Sequence, residues 1–224
     1  MSIKEKWNKR YRGVAGEQQA SRVLRENLHL LPASGRALDL ACGLGGNAIL
    51  LAQQGLSVSA WDIADVPIAA LKDVALKRRL SIQVEVRDVT ANPPVPESFD
   101  VIVVSHFLDR DIIPALIEAV KPDGLIYYQT FTRQRVSDRG PQRAEFRLAQ
   151  QELLQLFSGL QVLFYREEGC TGDLKKGLRD EAMFVGMKGV RNHYQLMVPD
   201  TFTDSDPVVA LSLIHISEPT RRRD

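Results

Sequence analysis

The chain has 224 residues, of which 44% are hydrophobic and 25% are charged, and its 29 basic and 28 acidic residues leave a net charge of +1. These values exclude a disordered, collagen-like or coiled-coil chain, and the balanced charge gives no electrostatic reason to expect a nucleic acid or a membrane as partner. Two cysteines without metal-type spacing, no apolar run of membrane-spanning length and no signal peptide together predict a cytoplasmic protein.

Predicted helices alternate with short apolar strands along the chain. The first 31 residues are predicted to be helical, because apolar residues recur at helical spacing from Val23 to Leu31 and Pro32 ends the run. Strands are expected at residues 37–41, 56–61, 82–86, 99–105, 125–128, 161–165 and 182–187. Helices are expected at residues 47–54, 66–79, 112–120 and 150–157.

This alternation indicates parallel βαβ units with right-handed crossovers. The expected fold class is α/β, with a single Rossmann-like, doubly wound domain over residues 1–188. Its seven-stranded sheet is expected to be mostly parallel, with an antiparallel last strand. Residues 189–210 are polar and without clear periodicity, and are interpreted as an uncertain extension. Residues 211–221 (LSLIHISEPTR) match the in-frame translation of a transposon-derived sequencing adapter, so residues 211–224 are interpreted as an artefact tail.

A glycine-rich turn follows the first predicted strand, in the segment ALDLACGLGGN at residues 37–47. In sheets of this kind, ligands bind beyond the carboxyl ends of the strands, near the point where the strand order reverses. Gly43 and Gly45 have no Cβ, so a ligand can approach the backbone closely, and the next helix offers free N–H groups. For the glycines alone, a tight turn without a ligand is the alternative.

Three acidic residues lie where successive predicted strands end. Asp39 lies where a carboxylate can receive an amino group, and Asp62 where it can accept from both ribose hydroxyls. Asp88 lies where it can accept from an adenine amino group. The carboxylate of Asp39 would be unfavourable beside a pyrophosphate, because the negative charges repel. The set favours S-adenosylmethionine (AdoMet) over a dinucleotide, although Gly43-x-Gly45-x-x-Ala48 also fits the dinucleotide fingerprint.

Over residues 7–188 the sequence resembles the class I AdoMet-dependent methyltransferases. The segment LDLACGLG at residues 38–45 is similar to their first motif, with Ala41 where glycine is commonest, and FDVIVVS at residues 99–105 to their fourth strand. A finer resemblance, to the tellurite-resistance and thiopurine methyltransferase branch, is carried by WNKRYRG at residues 7–13 and FLDRDIIP at residues 107–114. The first of these is similar to an element that covers the cofactor, which implies that residues 1–31 form an N-terminal helical lid.

This resemblance implies a methyltransferase with AdoMet as cofactor and no metal. The residues predicted to contact the cofactor are Trp7, Tyr11, Asp39, Ala41, Gly43, Gly45, Asn47, Asp62, Ile63, Asp88, Val89 and Ser105. In the loop after the fourth strand, His106 and Arg110 are the candidate catalytic residues, since a histidine can act as a base and an arginine can hold an anionic acceptor. The polar segment 130–143 is predicted to be a mobile cover.

The expected reaction is methyl transfer to a small-molecule acceptor, with soft S, Se or Te nucleophiles among the candidates. Such acceptors need alignment and exclusion of water more than they need a base. No nucleic acid or membrane partner is expected, and the protein is expected to be a monomer or a homodimer. Two alternatives stay open: an NAD(P)-dependent oxidoreductase, and an inactive AdoMet-binding domain that serves as an interaction partner.

Overall fold

The computed structural model describes residues 2–14 and 18–189, so the predictions for residues 190–224 lie outside the described residues. The strands are β1 (Arg36–Leu40), β2 (Ser57–Asp62), β3 (Ile82–Val86), β4 (Phe99–Ser105), β5 (Val120–Phe131), β6 (Gln161–Glu167) and β7 (Glu181–Met187). They form one sheet in the order β3-β2-β1-β4-β5-β7-β6. Only β7 is antiparallel to its neighbours within this sheet. The predicted fold class is confirmed.

Six helices accompany the sheet in the described part of the chain. They are α1 (Ile3–Tyr11), α2 (Arg22–Glu26), α3 (Gly46–Gln53), α4 (Asp65–Arg78), α5 (Ile113–Ala119) and α6 (Glu152–Leu156). The prediction of one helical run over the first 31 residues is wrong, because α1 and α2 are separate and a 3₁₀ turn follows at Leu28–Leu30. The apolar period that begins at Val23 does not extend to α1, whose side chains are at most half-buried.

The strand β5 is longer than predicted. It begins at Val120, where the sequence predicted the end of a helix, and it continues to Phe131 because β7 pairs with it as far as Glu181. This pairing matters for the site, because it brings the first residue of β7 to the carboxyl end of β5.

The core lies on both faces of the sheet. Residues 101–104 of β4 are all fully buried, which explains why this strand is continuously apolar rather than alternating. Alternate residues of β1 and β4 contribute to two separate clusters, Leu38, Leu40, Ile102 and Val104 to one and Ala37, Val101 and Val103 to the other. Among the described residues, none of the helices has the length and apolar character needed to cross a bilayer.

The strand order reverses between β1 and β4, which are neighbours in the sheet. The chain leaves β1 toward β2 on one side and leaves β4 toward β5 on the other. The carboxyl ends of β1, β2, β4 and β5 therefore meet at one edge, where a crevice forms for a ligand.

Candidate active site

The tips of β1 and β4 are joined by a hydrogen-bonded set of side chains. Asp39 is fully buried and accepts from the Ala48 amide (3.0 Å) and from Asn47 Nδ2 (3.3 Å). Asn47 Nδ2 also donates to Ser105 Oγ (3.0 Å), and Asn47 Oδ1 accepts from the Ser21 amide (2.7 Å). Three of the predicted cofactor residues, Asp39, Asn47 and Ser105, are thus brought together at the switch point.

The glycine-rich turn joins the tip of β2 through Asp62. The Gly43 amide donates to Asp62 Oδ2 (2.9 Å), and the Ala64 amide donates to Asp62 Oδ1 (2.8 Å). Gly43 has a φ of +52°, and a Cβ there would lie 2.5 Å from Tyr11 Oη. The tyrosine hydroxyl therefore lies against the bare backbone of the turn, in space that a Cβ on residue 43 would occupy.

Ala41 and Gly45, the other small residues of the turn, have different structural roles. Ala41 has a φ of +56°, which explains why glycine is common at this position and which costs about 1–2 kcal/mol for alanine. A Cβ on Gly45 would lie 2.4 Å from Leu71 Cδ1, so the space beside Gly45 is filled by α4. The missing Cβ of Gly45 thus lets the turn pack against α4, and the contact of the Gly45 backbone with a cofactor stays a prediction.

Burial perturbs the ionisable groups around the turn. Burial raises the pKa of Asp39 to about 7 and also raises the pKa of Asp62. Burial and the nearby Asp62 raise the pKa of Tyr11 to about 12. Neither carboxylate has a cationic partner among the described residues, and the charge that acts on Asp39 is the like charge of Asp62. Ionised carboxylates held in this way favour the binding of a cation.

The helix α1 lies over the crevice beside Asp39, Gly43 and Asp62, which we call the cofactor pocket. It is anchored on the first turn of α4. Asn8 Oδ1 accepts from the Val66 amide (3.0 Å), and Asn8 Nδ2 donates to Asp65 (3.1 Å). The ring of Trp7 stacks on that of Tyr11 with centroids 6.2 Å apart. The element predicted to act as a lid therefore lies beside the glycine-rich turn.

Of the cofactor residues predicted after β2 and β3, the two after β3 lie outside the hydrogen-bonded groups of Asp39 and Asp62. Asp88 is exposed, and its Oδ1 accepts from the amide (3.0 Å) and the hydroxyl (2.7 Å) of Thr90. The Thr90 hydroxyl bond lowers the pKa of Asp88. Val89 is buried in the core, and Ile63 is half-buried beside Asp62. The structure thus does not join Asp88 to the hydrogen-bonded groups of Asp39 and Asp62.

On the acceptor side, Arg110 is engaged by neighbouring groups. Its Nε and Nη2 donate to the carboxylate of Glu152 (2.6 and 3.1 Å), and its Nη1 donates to the Glu145 carbonyl (2.7 Å). The Glu152 hydrogen bond raises the pKa of Arg110. This network stabilises the segment before α6, and the binding of an anionic acceptor by Arg110 stays a prediction.

Sequence reasoning missed Glu181 and Gln129. Glu181 is nearly buried at the start of β7 and lies 3.3 Å from His106 Nε2, and Gln129 Nε2 donates to it. No local motif surrounds either residue. Only the antiparallel pairing of β7 with β5 brings Glu181 to the active-site edge.

The segment 130–143, predicted to be a mobile cover, is tied down by two side chains. Arg147 is 2% exposed and donates to the carbonyls of Thr132 (2.8 Å), Pro141 (2.6 Å) and Arg139. Asp180 accepts from two backbone amides at residues 136 and 137. These buried polar contacts hold the segment in a defined conformation.

Replacing Arg147 with leucine is expected to lower the free energy of unfolding by about 3–5 kcal/mol, because a buried guanidinium is removed from three carbonyls. Arg143→Leu is the matched control. Its side chain is 71% exposed, and a change within about 0.5 kcal/mol is expected. Urea denaturation followed by circular dichroism measures both. Equal small losses in the two variants would show that the segment is not held by Arg147.

The chain is similar to proteins of one enzymatic class. It is 30% identical over 147 residues to a probable S-adenosyl-L-methionine-dependent methyltransferase TehB of Haemophilus influenzae, covering 63% of this chain and 50% of that protein. It is 30% identical over 109 residues to a ubiquinone biosynthesis O-methyltransferase of Pseudomonas fluorescens, covering 45% and 46% of the two chains. The crystal structure of TehB from Haemophilus influenzae matches with a TM-score of 0.59 and 25% identity, over 83% of this chain and 66% of that one. The fold and these likenesses are those of the class I AdoMet-dependent methyltransferases.

A family model narrows the assignment within this class. The model described as tellurite resistance protein TehB matches residues 7–184, which include the glycine-rich turn and most of β7. The chain belongs to the TehB family. It spans about half the length of the curated relatives it matches.

Proposed function

We propose that this chain transfers the methyl group of AdoMet to a small-molecule acceptor, and that soft S, Se or Te nucleophiles are the favoured class. One observation carries the proposal. Two buried carboxylates, Asp39 and Asp62, meet at the switch point beside Gly43, under the hydroxyl of Tyr11. This arrangement suits a cationic nucleoside better than it suits a pyrophosphate.

The residues of the pocket fit the groups that AdoMet presents. Its ammonium and sulfonium groups are cations, and its ribose offers two hydroxyl donors. Each oxygen of Asp62 accepts one backbone N–H, which leaves a lone pair on each for a ribose hydroxyl. Asp39 supplies a second negative charge that no described cation neutralises.

AdoMet, when bound, supplies a methyl group on a good leaving group. The chain supplies orientation and exclusion of water. Asp39 is held by the Ala48 amide and Asn47, so its carboxylate keeps one orientation. Tyr11 covers the glycine-rich turn, and Asn8 anchors its helix to α4, which shields the pocket from solvent. An aromatic face such as that of Tyr11 stabilises a nearby cation by about 1 kcal/mol.

Further observations support soft acceptors over nucleic acid and support a cytoplasmic location, which we also propose. The family description refers to tellurite, which is a soft acceptor, and the chain's near-zero net charge offers no attraction for nucleic acid. Cys42 and Cys170 are both free thiols, which fits a reducing cytoplasm.

Calorimetry and a transfer assay test the proposal. AdoMet and S-adenosylhomocysteine (AdoHcy) are expected to bind in the micromolar range, and NADH at least about 100-fold more weakly. Methyl transfer from radiolabelled AdoMet to a panel of thiols, tellurite and selenite is expected for at least one acceptor. Micromolar NADH binding would favour an oxidoreductase. AdoMet binding without transfer to any acceptor of the panel would favour a binding domain.

A further inference from the structure

A buried carboxylate outside the cofactor pocket faces the candidate base. Glu181 is 5% exposed, and its Oε1 lies 3.3 Å from His106 Nε2 and 3.4 Å from Arg139 Nη2. Its Oε2 accepts a hydrogen bond from Gln129 Nε2. Both oxygens of Glu181 are therefore held in place, and one of them is presented to the imidazole.

The orientation of Gln129 determines which groups donate in this cluster. Gln129 Oε1 accepts from the Val23 amide at 2.7 Å, and a backbone amide can only donate. Gln129 Nε2 must then be the donor to Glu181. Burial alone would raise the pKa of Glu181, but the hydrogen bonds from His106 and Gln129 hold the pKa below its usual value. Glu181 is therefore an ionised acceptor.

His106 is held beside the proposed methyl-donor pocket by an unusual backbone conformation. Its φ is +55°, its amide donates to the Gln129 carbonyl (2.8 Å), and its ring lies 5.0 Å from that of Phe131. It directly follows Ser105, whose hydroxyl is bonded to Asn47 in the pocket. A non-glycine residue in the left-handed region is often found at a functional site.

We infer that Glu181 is a positioning residue, which accepts the Nε2 proton of His106 and so leaves Nδ1 free to take a proton from the methyl acceptor. This inference rests on the proposed function and narrows its substrate class to protic nucleophiles, such as thiols. The X–H proton passes to Nδ1, and the electron pair of that bond forms the X–C bond to the methyl carbon. The pair of the C–S bond remains on the donor sulfur, and Glu181 stabilises the imidazolium.

A nuclear magnetic resonance experiment reads the tautomer directly in the AdoHcy complex of the full chain. The chain contains four histidines, and the His106→Gln spectrum assigns the ¹⁵N signals of His106. We expect the Nε2–H tautomer in the wild type. In Glu181→Gln we expect the Nδ1–H tautomer, because Gln129 requires the amide oxygen and leaves the new NH₂ group facing His106 Nε2. Glu145→Gln, an exposed change in the segment before α6, is expected to keep the wild-type tautomer.

Kinetics separate this role from a merely structural ion pair. The probes are benzyl mercaptan, which is undissociated at pH 7, and 4-nitrothiophenol, which is a thiolate at that pH. His106→Gln and Glu181→Gln are expected to lower kcat by about 100-fold for the first thiol and by less than about threefold for the second. A structural role would lower kcat by the same factor for both thiols.

The outcomes distinguish this inference from the proposed function. Failure of the wild type to bind AdoHcy in calorimetry contradicts the proposed function itself. An Nδ1–H tautomer in the wild type, an unchanged tautomer in Glu181→Gln, or equal kinetic losses for the two thiols overturns the role of Glu181. If AdoHcy binds and neither thiol is methylated, the tautomer of His106 alone decides the role of Glu181. If the Glu181→Gln variant fails to fold, the tautomer in the wild-type spectrum still tests that role.

Discussion

Replacing Asp62 with asparagine is expected to weaken AdoMet binding by at least about 100-fold. Two ribose hydroxyls donating to a buried carboxylate contribute about 1.5–3 kcal/mol each, and about 1.4 kcal/mol corresponds to a factor of ten in Kd. Asparagine has the same shape but a single acceptor oxygen, and the Gly43 and Ala64 amides already compete for it. Calorimetry with AdoMet and AdoHcy measures the loss for both ligands.

The exposed Asp73 of α4 provides a matched control for this substitution. Asp73→Asn removes the same charge without touching the pocket, and its Kd is expected to stay within about twofold of the wild type. Circular dichroism and thermal unfolding confirm that both variants are folded. An Asp62→Asn Kd equal to that of Asp73→Asn would show that the methyl donor is held elsewhere.

The part of the site that follows β1 and β2 could be predicted from the sequence because it depends on chain order alone. Parallel strands end at the same edge of a sheet, so Asp39 and Asp62 had to lie near each other once the alternation of strands and helices was recognised. Gly43 was predicted for the same reason, and the structure adds that its missing Cβ is needed by Tyr11. Local sequence and global topology agree at these positions.

The remaining features depend on contacts between distant parts of the chain. Glu181 reaches His106 because β7 is inserted between β5 and β6, and no residue near Glu181 indicates that neighbour. Arg147 looks like any polar residue of a loop, yet it is buried under three carbonyls that only the folded segment brings together. Similarly, the space beside Gly45 is filled by Leu71 of α4, which spacing in the sequence does not show.

AdoMet binding is expected to be about tenfold weaker at pH 6 than at pH 8, because Asp39 must lose a proton before it can pair with a cation. Burial raises the pKa of Asp39 to about 7, so the carboxyl is mostly protonated at pH 6 and mostly ionised at pH 8 in the free protein. A bound cation favours the ionised form, so binding at pH 6 releases a proton. By linkage, the affinity falls toward tenfold per pH unit below that pKa and levels off above it.

Calorimetry in two buffers of different ionisation enthalpy shows whether binding releases a proton, as expected, or takes one up. The observed heat is expected to depend on the buffer at pH 6 and to be nearly independent of it at pH 8. In Asp39→Asn the pH dependence is expected to vanish and AdoMet binding at pH 8 to weaken, whereas Asp73→Asn is expected to keep the wild-type profile. The pKa of Asp62 is also raised by burial, so a pH dependence that persists in Asp39→Asn would assign the released proton to Asp62 instead.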